Sequence, residues 1–139
     1  ALTKTSERKR GISILQEGID RINEINEKLY DFDFSLGNAY LNTGEYRKSV
    51  QHFKSSYARQ PDKYQLLYNI AYAYDSMKDY KNAIDYYQQF LKSKPKHVNL
   101  DEEMNFDTGE IRSVDVFYQI SAERVEALKK EKFFRDGKK

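Results

Sequence analysis

The sequence predicts an all-α protein, a solenoid of antiparallel helix pairs, and three observations lead to this prediction. One pattern of apolar and small residues occurs twice at a spacing of 34 residues, and a proline closes each copy, Pro61 and Pro95. Each copy is long enough for two amphipathic helices. The 139 residues include 12 Tyr and 8 Phe, which need a packed interior and exclude a disordered chain.

The two copies match at the positions that pack one helix against the next. The first copy contains Asp33-x2-Leu36-Gly37-x2-Tyr40, Ser49-x3-Phe53 and Pro61. The second contains Leu67-x2-Ile70-Ala71-x2-Tyr74, Ala83-x3-Tyr87 and Pro95. This spacing resembles the tetratricopeptide repeat, whose pattern is W-x2-L-G-x2-Y, then A-x3-F, then P. The resemblance implies a solenoid that binds proteins or peptides and has no catalytic activity.

The length of the chain favours one domain over residues 1–139, with the first repeat at 30–63 and the second at 64–97. Gly44 fits the end of a helix, where glycine adopts a left-handed conformation at little cost. Gly37 and Ser49 are small enough to let paired helices cross closely. The expected helices of the two repeats are Phe32–Asn42, Tyr46–Arg59, Tyr64–Met77 and Tyr80–Lys92.

Residues 1–29 contain apolar residues spaced by three, four and seven, which predicts an amphipathic helix from about Ser6 to Lys28. These residues are Ile12, Leu15, Ile19, Ile22 and Leu29. Gly11 and Gly18 suggest close approach by a neighbouring helix, because glycine inside a helix costs about 1 kcal/mol relative to alanine. Two interpretations remain open: the second helix of a degenerate half-repeat, or an ordinary N-terminal capping helix.

The regular array is expected to end at Phe90, which stands where the first repeat has the small Ser56. Residues 98–112 are acidic and predict a solvated loop, because the spacing of a calcium-binding loop is absent. A C-terminal capping helix is expected at 113–135. Its predicted apolar face is Val114, Phe117, Ser121, Val125 and Leu128. For the basic end of this helix, a fraying terminus is favoured over an anchor to a membrane surface or acidic partner.

Little in the sequence could carry catalysis or hold a cofactor or metal. Cysteine is absent, and His52 and His97 lie 45 positions apart without metal-ligand spacing. His52 is expected at the surface. A net charge of +2 does not favour nucleic acid or an anionic membrane, and no apolar run approaches the ~18 residues of a membrane span. The chain begins at Ala1, so an excised domain and a processed form both remain open, and the compartment is not assigned.

The resemblance implies a concave groove lined by the first helix of each repeat. Amide and tyrosine side chains suit peptide binding, whereas the alternative is that this face is only the solvated side of the helices. Asn38 and Asn69 coincide with the asparagines of a chaperone-tail clamp, but its cations are missing, which argues against that ligand. The alternative function is self-assembly, as a homo-oligomer or against the rest of a longer chain. The expected groove residues are Phe34, Asn38, Leu41, Asn42, Gln65, Tyr68, Asn69, Tyr72, Asp75 and Ser76.

Overall fold

The computed structural model describes residues 3–96 and 110–137 of the chain. Within these ranges the regular elements are α-helices without strands. Successive helices pack against one another along the chain. The predicted all-α fold of paired helices is therefore confirmed. The helices are α1 (Lys4–Asn42), α2 (Tyr46–Arg59), α3 (Gln65–Ser76), α4 (Tyr80–Lys92) and α5 (Glu110–Gly137).

Two buried clusters follow the repeat. The first joins α1, α2 and α3 around Phe53 and Ile70, both fully buried, with Phe34 and Leu41 packed at its side. The second joins α3, α4 and α5 around Tyr87 and consists of Ala71, Ala83, Tyr87, Val125 and Leu128. Each cluster thus spans one helix pair and the helix that follows it, as expected for a solenoid whose units stack.

The small residues of the first repeat bring α1 and α2 close together. A Cβ built on Gly37 would lie 2.5 Å from Cδ1 of Phe53, so only glycine fits beside that ring. The Ser49 hydroxyl donates to the Gly37 carbonyl at 2.7 Å, and the Ser56 hydroxyl donates to the Tyr30 carbonyl at 3.1 Å. These bonds join the two helices at two heights along their contact.

The turns that join the paired helices repeat in backbone conformation as well as in position. Gly44 has φ +80°, and Lys78, 34 residues later, has φ +63°. The amide of Glu45 donates to the Tyr40 carbonyl at 2.8 Å, and the amide of Asp79 donates to Tyr74 at 2.9 Å. The second repeat therefore has the same left-handed turn as the first, although the residue in that conformation is Lys78 and not a glycine.

Replacing Lys78 with glycine is expected to stabilise the protein. A left-handed conformation costs a non-glycine residue about 1–2 kcal/mol, so relief at Lys78 should raise the free energy of unfolding by about 1 kcal/mol. Denaturant titration measures this change. Lys81→Gly is the matched control, because Lys81 is an exposed residue in the first turn of α4 with ordinary helical geometry, and glycine there should lower stability slightly. A loss of stability in both variants would contradict the prediction.

The N-terminal region differs from its prediction. Two helices were expected, ending near Lys28 and starting at Phe32, whereas α1 is one helix of 39 residues. The segment 29–31 contains neither proline nor glycine, so nothing there ends the helix. The half-repeat interpretation is consequently wrong, because the second helix of a repeat would have to turn back before the next one begins.

The predicted close neighbour of Gly11 and Gly18 is also not found. In the part of the chain that the structure describes, nothing lies within 4 Å of a Cβ built on either glycine. Residues 4–29 are exposed apart from Gly18, which is half-buried. This part of α1 projects beyond the other helices and does not act as a cap on them.

The C-terminal helix is longer than predicted, since α5 begins at Glu110 and ends at Gly137. Ser121, Val125 and Leu128 are buried as expected, whereas the side chain of Val114 lies outside the described residues. The expected acidic loop also lies outside them, as does His97, except that residues 110–112 belong to α5. Phe90 is fully buried against α5, so the helix that follows the second repeat does pack on this ring.

Candidate functional site

One side of α3 presents polar and aromatic side chains at spacings of four, three and four residues. Ile70 and Ala73 on the opposite side are fully buried, because they face the core between α2 and α3. Tyr72 is 46% exposed, the highest exposure among the tyrosines of this helix. The residues along the exposed side are Gln65, Asn69, Tyr72 and Ser76.

The corresponding residues of α1 divide into two groups. Asn42 is exposed and Asn38 half-buried, whereas Phe34 and Leu41 pack against the core. The Phe34 ring lies 6.1 Å from that of Phe53 and stacks on Tyr30 at 6.2 Å. Phe34 therefore serves mainly to hold α1 against α2. Phe32, two residues before Phe34, is 67% exposed and does not contribute to this packing.

Asn38 and Asn69 are half-buried amides in neighbouring repeats. Among residues 3–96 and 110–137, neither side chain has a hydrogen-bond partner. An amide offers two donors and one acceptor oxygen, which matches the donor and acceptor of a peptide bond. Half-buried amides of this kind gain from any ligand that supplies the missing bonds.

Tyr68 is half-buried, because α5 covers part of its ring. Its ring centroid is 4.8 Å from that of Phe117 on α5, in an edge-on arrangement, and 6.3 Å from that of Tyr72. Burial raises the pKa of the Tyr68 hydroxyl, and the neighbouring Tyr72 and Asp75 add to the increase. Tyr68 therefore connects the exposed Tyr72 to the packed interior.

Asp75 holds α5 in place. Its carboxylate accepts two hydrogen bonds from the Arg124 guanidinium, at 2.7 and 2.8 Å, and a third from the Tyr87 hydroxyl at 3.1 Å. This fork geometry is the strong form of an arginine–carboxylate pair. Burial, followed by the Asp75 charge, raises the pKa of Tyr87 well above the usual tyrosine range. Of the predicted groove residues, Asp75 and Tyr68 are thus occupied by contacts within the chain.

Asp33 forms a polar contact with α2 that the sequence reading missed. Its carboxylate lies 2.9 Å from Nδ1 of His52 and accepts a bond from Nε of Arg59 at 3.3 Å. His52 is half-buried and stacks on Tyr40 with centroids 5.5 Å apart, so its expected place at the surface is wrong. A signal was available, because His52 and Arg59 are seven residues apart and share one face of α2.

A metal site, a membrane-spanning helix and a surface cavity are further features that would bear on function. Within these ranges no group of three or more His, Cys, Asp or Glu side chains could hold a metal ion. No described helix is long and apolar enough to cross a membrane. An open depression of about 430 Å³ lies between α2 and the α3–α4 turn, away from the groove residues. It is lined by Arg47, Val50, Tyr74, Met77, Lys78, Asp79 and Asn82.

Comparison with protein families identifies the helix pairs. The family model for the tetratricopeptide repeat matches residues 34–98. Residues 34–98 are tetratricopeptide repeats. This match begins inside α1 and covers both turns, the buried residues of the cluster around Phe53 and the polar side of α3. No curated protein matches the chain.

Tetratricopeptide repeats generally mediate protein–protein interaction or scaffolding, and they are typically non-catalytic. Their repeats stack so that each contacts only its neighbours, which leaves extended surfaces for partners. The family assignment thus supplies the class of function, a protein-binding or scaffolding module.

Proposed function

We propose that the tetratricopeptide repeats of this chain bind a peptide or helix of a protein partner on the concave face of their first helices. The observation that carries the proposal is the pair of half-buried amides, Asn38 and Asn69, without partners in the described part of the chain. Their side chains would pair with the N–H and C=O groups of an extended or helical segment. Tyr72 supports the proposal because an exposed ring one turn after Asn69 on α3 adds contact area at low entropic cost.

The proposed surface is narrower than the sequence alone suggests. Phe34 and Leu41 pack against the core, and Tyr68 and Asp75 contact α5. These four side chains would therefore position the contact residues and not touch the ligand themselves. The remaining contact residues lie on two helices, which limits the ligand to a short segment. The proposed contact residues are Asn38, Asn42, Gln65, Asn69 and Tyr72.

The test is the joint replacement of Asn38 and Asn69 by alanine. A partner is first captured from a lysate on the wild-type chain and identified, and its affinity is then measured by calorimetry. Loss of two amide contacts should weaken binding by about tenfold or more, with the circular dichroism unchanged. Gln51→Ala combined with Gln88→Ala is the matched control, because both amides lie on the second helices. Unchanged affinity in the first variant would remove this face from consideration.

A second candidate function is self-assembly, and one observation favours it. The projecting part of α1 exposes a series of large apolar side chains, among them Ile12 and Leu15, which is 70% exposed. Apolar surface of this extent is typical of an interaction site. Light scattering across a dilution series tests this candidate, since a monomer at every concentration would exclude it. The face on α3 and the surface on α1 are separate, so either function can fail without the other.

A further inference from the structure

We infer that the projecting part of α1 pairs with the same segment of a second copy of the chain, in antiparallel orientation. We define the arm as residues 4–29 and its stripe as the apolar residues that lie along one side of it. This inference rests on the second candidate function and specifies its partner, its surface and its geometry. The stripe consists of Ile12, Leu15, Ile19, Ile22, Ile25 and Leu29.

The arm has the composition of a helix that needs a partner. Between residues 11 and 25 it contains five isoleucines and two glycines, which all have lower helix propensity than alanine or leucine. Helices of this kind are stabilised mainly by packing of their apolar face. Every member of the stripe is exposed, from 38% at Leu29 to 70% at Leu15. Within the described chain, therefore, nothing covers the face that would stabilise the arm.

The spacing of the stripe is that of a helix that pairs with another helix. Ile12 and Ile19 take the first apolar position of a seven-residue repeat, and Leu15, Ile22 and Leu29 take the fourth. Gly11 and Gly18 lie beside these positions, also seven residues apart, and no atom of the described chain approaches a Cβ placed on them. Two bare positions at the edge of the stripe allow another helix to approach closely.

The distribution of charge along the arm favours pairing with a second copy of the arm in antiparallel orientation. Residues 4–10 contain four basic residues and one acidic residue, net +3, whereas residues 17–27 contain four acidic residues and one basic residue, net −3. Parallel pairing would place the two basic ends next to each other and the two acidic parts next to each other, which is unfavourable. Antiparallel pairing sets the basic end against the acidic part, which is favourable. The same acidic part disfavours a membrane surface, because helices that lie on membranes carry basic polar faces.

One antiparallel register uses the whole arm. When the numbers of facing residues add to 34, Ile12 faces Ile22 of the second copy and Leu15 faces Ile19 of the second copy. Gly18 then lies beside the two-fold axis. Residue 4 faces residue 30 of the second copy, close to where Arg59 of α2 reaches Asn26 with a hydrogen bond of 3.3 Å. In this register the arm ends where the globular part of the other copy begins, which places the two globular parts at opposite ends of the paired arms.

The first experiment measures the mass of the 139-residue chain by light scattering during dilution. A dimer is expected, and Ile19→Asp should raise its dissociation constant by at least about 100-fold, because the substitution buries an unpaired charge in each copy. Ser13→Asp places the same charge on the opposite side of the arm and should leave the dimer intact. Both residues are exposed in the single chain, so circular dichroism of the repeats should not change. A monomer at every concentration, or a dimer that Ile19→Asp leaves unchanged, would overturn the inference.

The second experiment tests the orientation, for which the absence of cysteine from the sequence is an advantage. Gly18→Cys should be joined to its copy by a short bismaleimide, because the two positions flank the axis. Ile22→Cys should not, because in this register the two positions are offset by ten residues, about 15 Å along the helix. Cross-linking of Ile22→Cys alone indicates parallel pairing and overturns the antiparallel inference while self-assembly survives. A monomeric chain that gains helix content on phosphatidylglycerol vesicles assigns the stripe to a membrane and overturns both.

Discussion

Replacing Phe90 with alanine is expected to lower the free energy of unfolding by about 3–5 kcal/mol, the usual cost of removing a buried phenylalanine ring. Phe90 is fully buried at the end of α4. Its ring stacks on Tyr118 of α5, with centroids 4.3 Å apart and planes 11° from parallel, and lies 5.7 Å from the Tyr68 ring. The cavity would open between α4 and α5, where two rings lose their common neighbour.

The expected structural result is the release of α5 rather than unfolding of both repeats. Among the described side chains of α5, none belongs to the cluster around Phe53 and Ile70, so this cluster should persist when α5 leaves. Amide hydrogen exchange should show loss of protection in residues 115–128, with protection kept in α2 and α3. The ion pair between Asp75 and Arg124 should weaken at the same time, because it depends on the docked position of α5.

The control for Phe90→Ala is Phe133→Ala, which removes the same ring from an exposed site. Phe133 is 73% exposed and its ring contacts that of Phe134, so the change should stay within about 0.5 kcal/mol of wild type. Denaturant titration of both variants gives the comparison. Equal stability losses, or unchanged exchange in α5 after Phe90→Ala, would contradict the role of Phe90 as the docking site of α5.

The helix bounds within the repeats were predictable because local signals and the period agreed. The helices Tyr46–Arg59 and Tyr80–Lys92 were predicted with the bounds that the structure has, and α3 is one residue shorter at each end. Gly44 marks the first turn, and the offset of 34 transfers that turn to Lys78, whose own side chain gives no such signal. Here the repeat supplied information that single residues lacked.

The junction at residues 29–31 was not predictable from the same period. A repeat boundary at Tyr30 was assumed because the pattern begins there, but no residue in that segment stops a helix. Tyr30 instead continues α1, stacks on Phe34 and offers its carbonyl to Ser56. The 34-residue period predicts which positions are packed. It does not predict where a helix ends, which depends on residues such as proline and glycine.

The site was predictable only in part, because contacts between segments far apart in the sequence do not produce a repeating pattern of residues. Asp75 and Arg124 are 49 residues apart, and nothing near either residue indicates the other. Tyr118 was also missed, although residues 118, 121, 125 and 128 follow a spacing of three, four and three. Its burial depends on Phe90, which the sequence reading treated as an obstacle to packing. The amides on α1 and α3 were found because they follow from the repeat alone.

Replacing Gly37 with leucine is the second change expected to have a large effect, a loss of about 3 kcal/mol or more. A Cβ at this position would lie 2.5 Å from Cδ1 and 2.6 Å from Cε1 of Phe53. The ring cannot move away, because Phe53 is fully buried among Val50, Leu66 and Ile70. The higher helix propensity of leucine offsets only about 1 kcal/mol of this cost. Thermal or denaturant unfolding measures the loss, and Gly137→Leu, at a position with open space at the end of α5, should show none.

A double-mutant cycle separates this steric contact from a general loss of helix stability. Phe53→Ala alone should cost about 3–5 kcal/mol, because it leaves a cavity between α1, α2 and α3. Combined with Gly37→Leu, it should cost clearly less than the sum of the single changes, since the leucine side chain enters the space that the ring vacated. Additive costs would show that the two residues do not meet. They would then contradict the close crossing of α1 and α2 on which the first repeat depends.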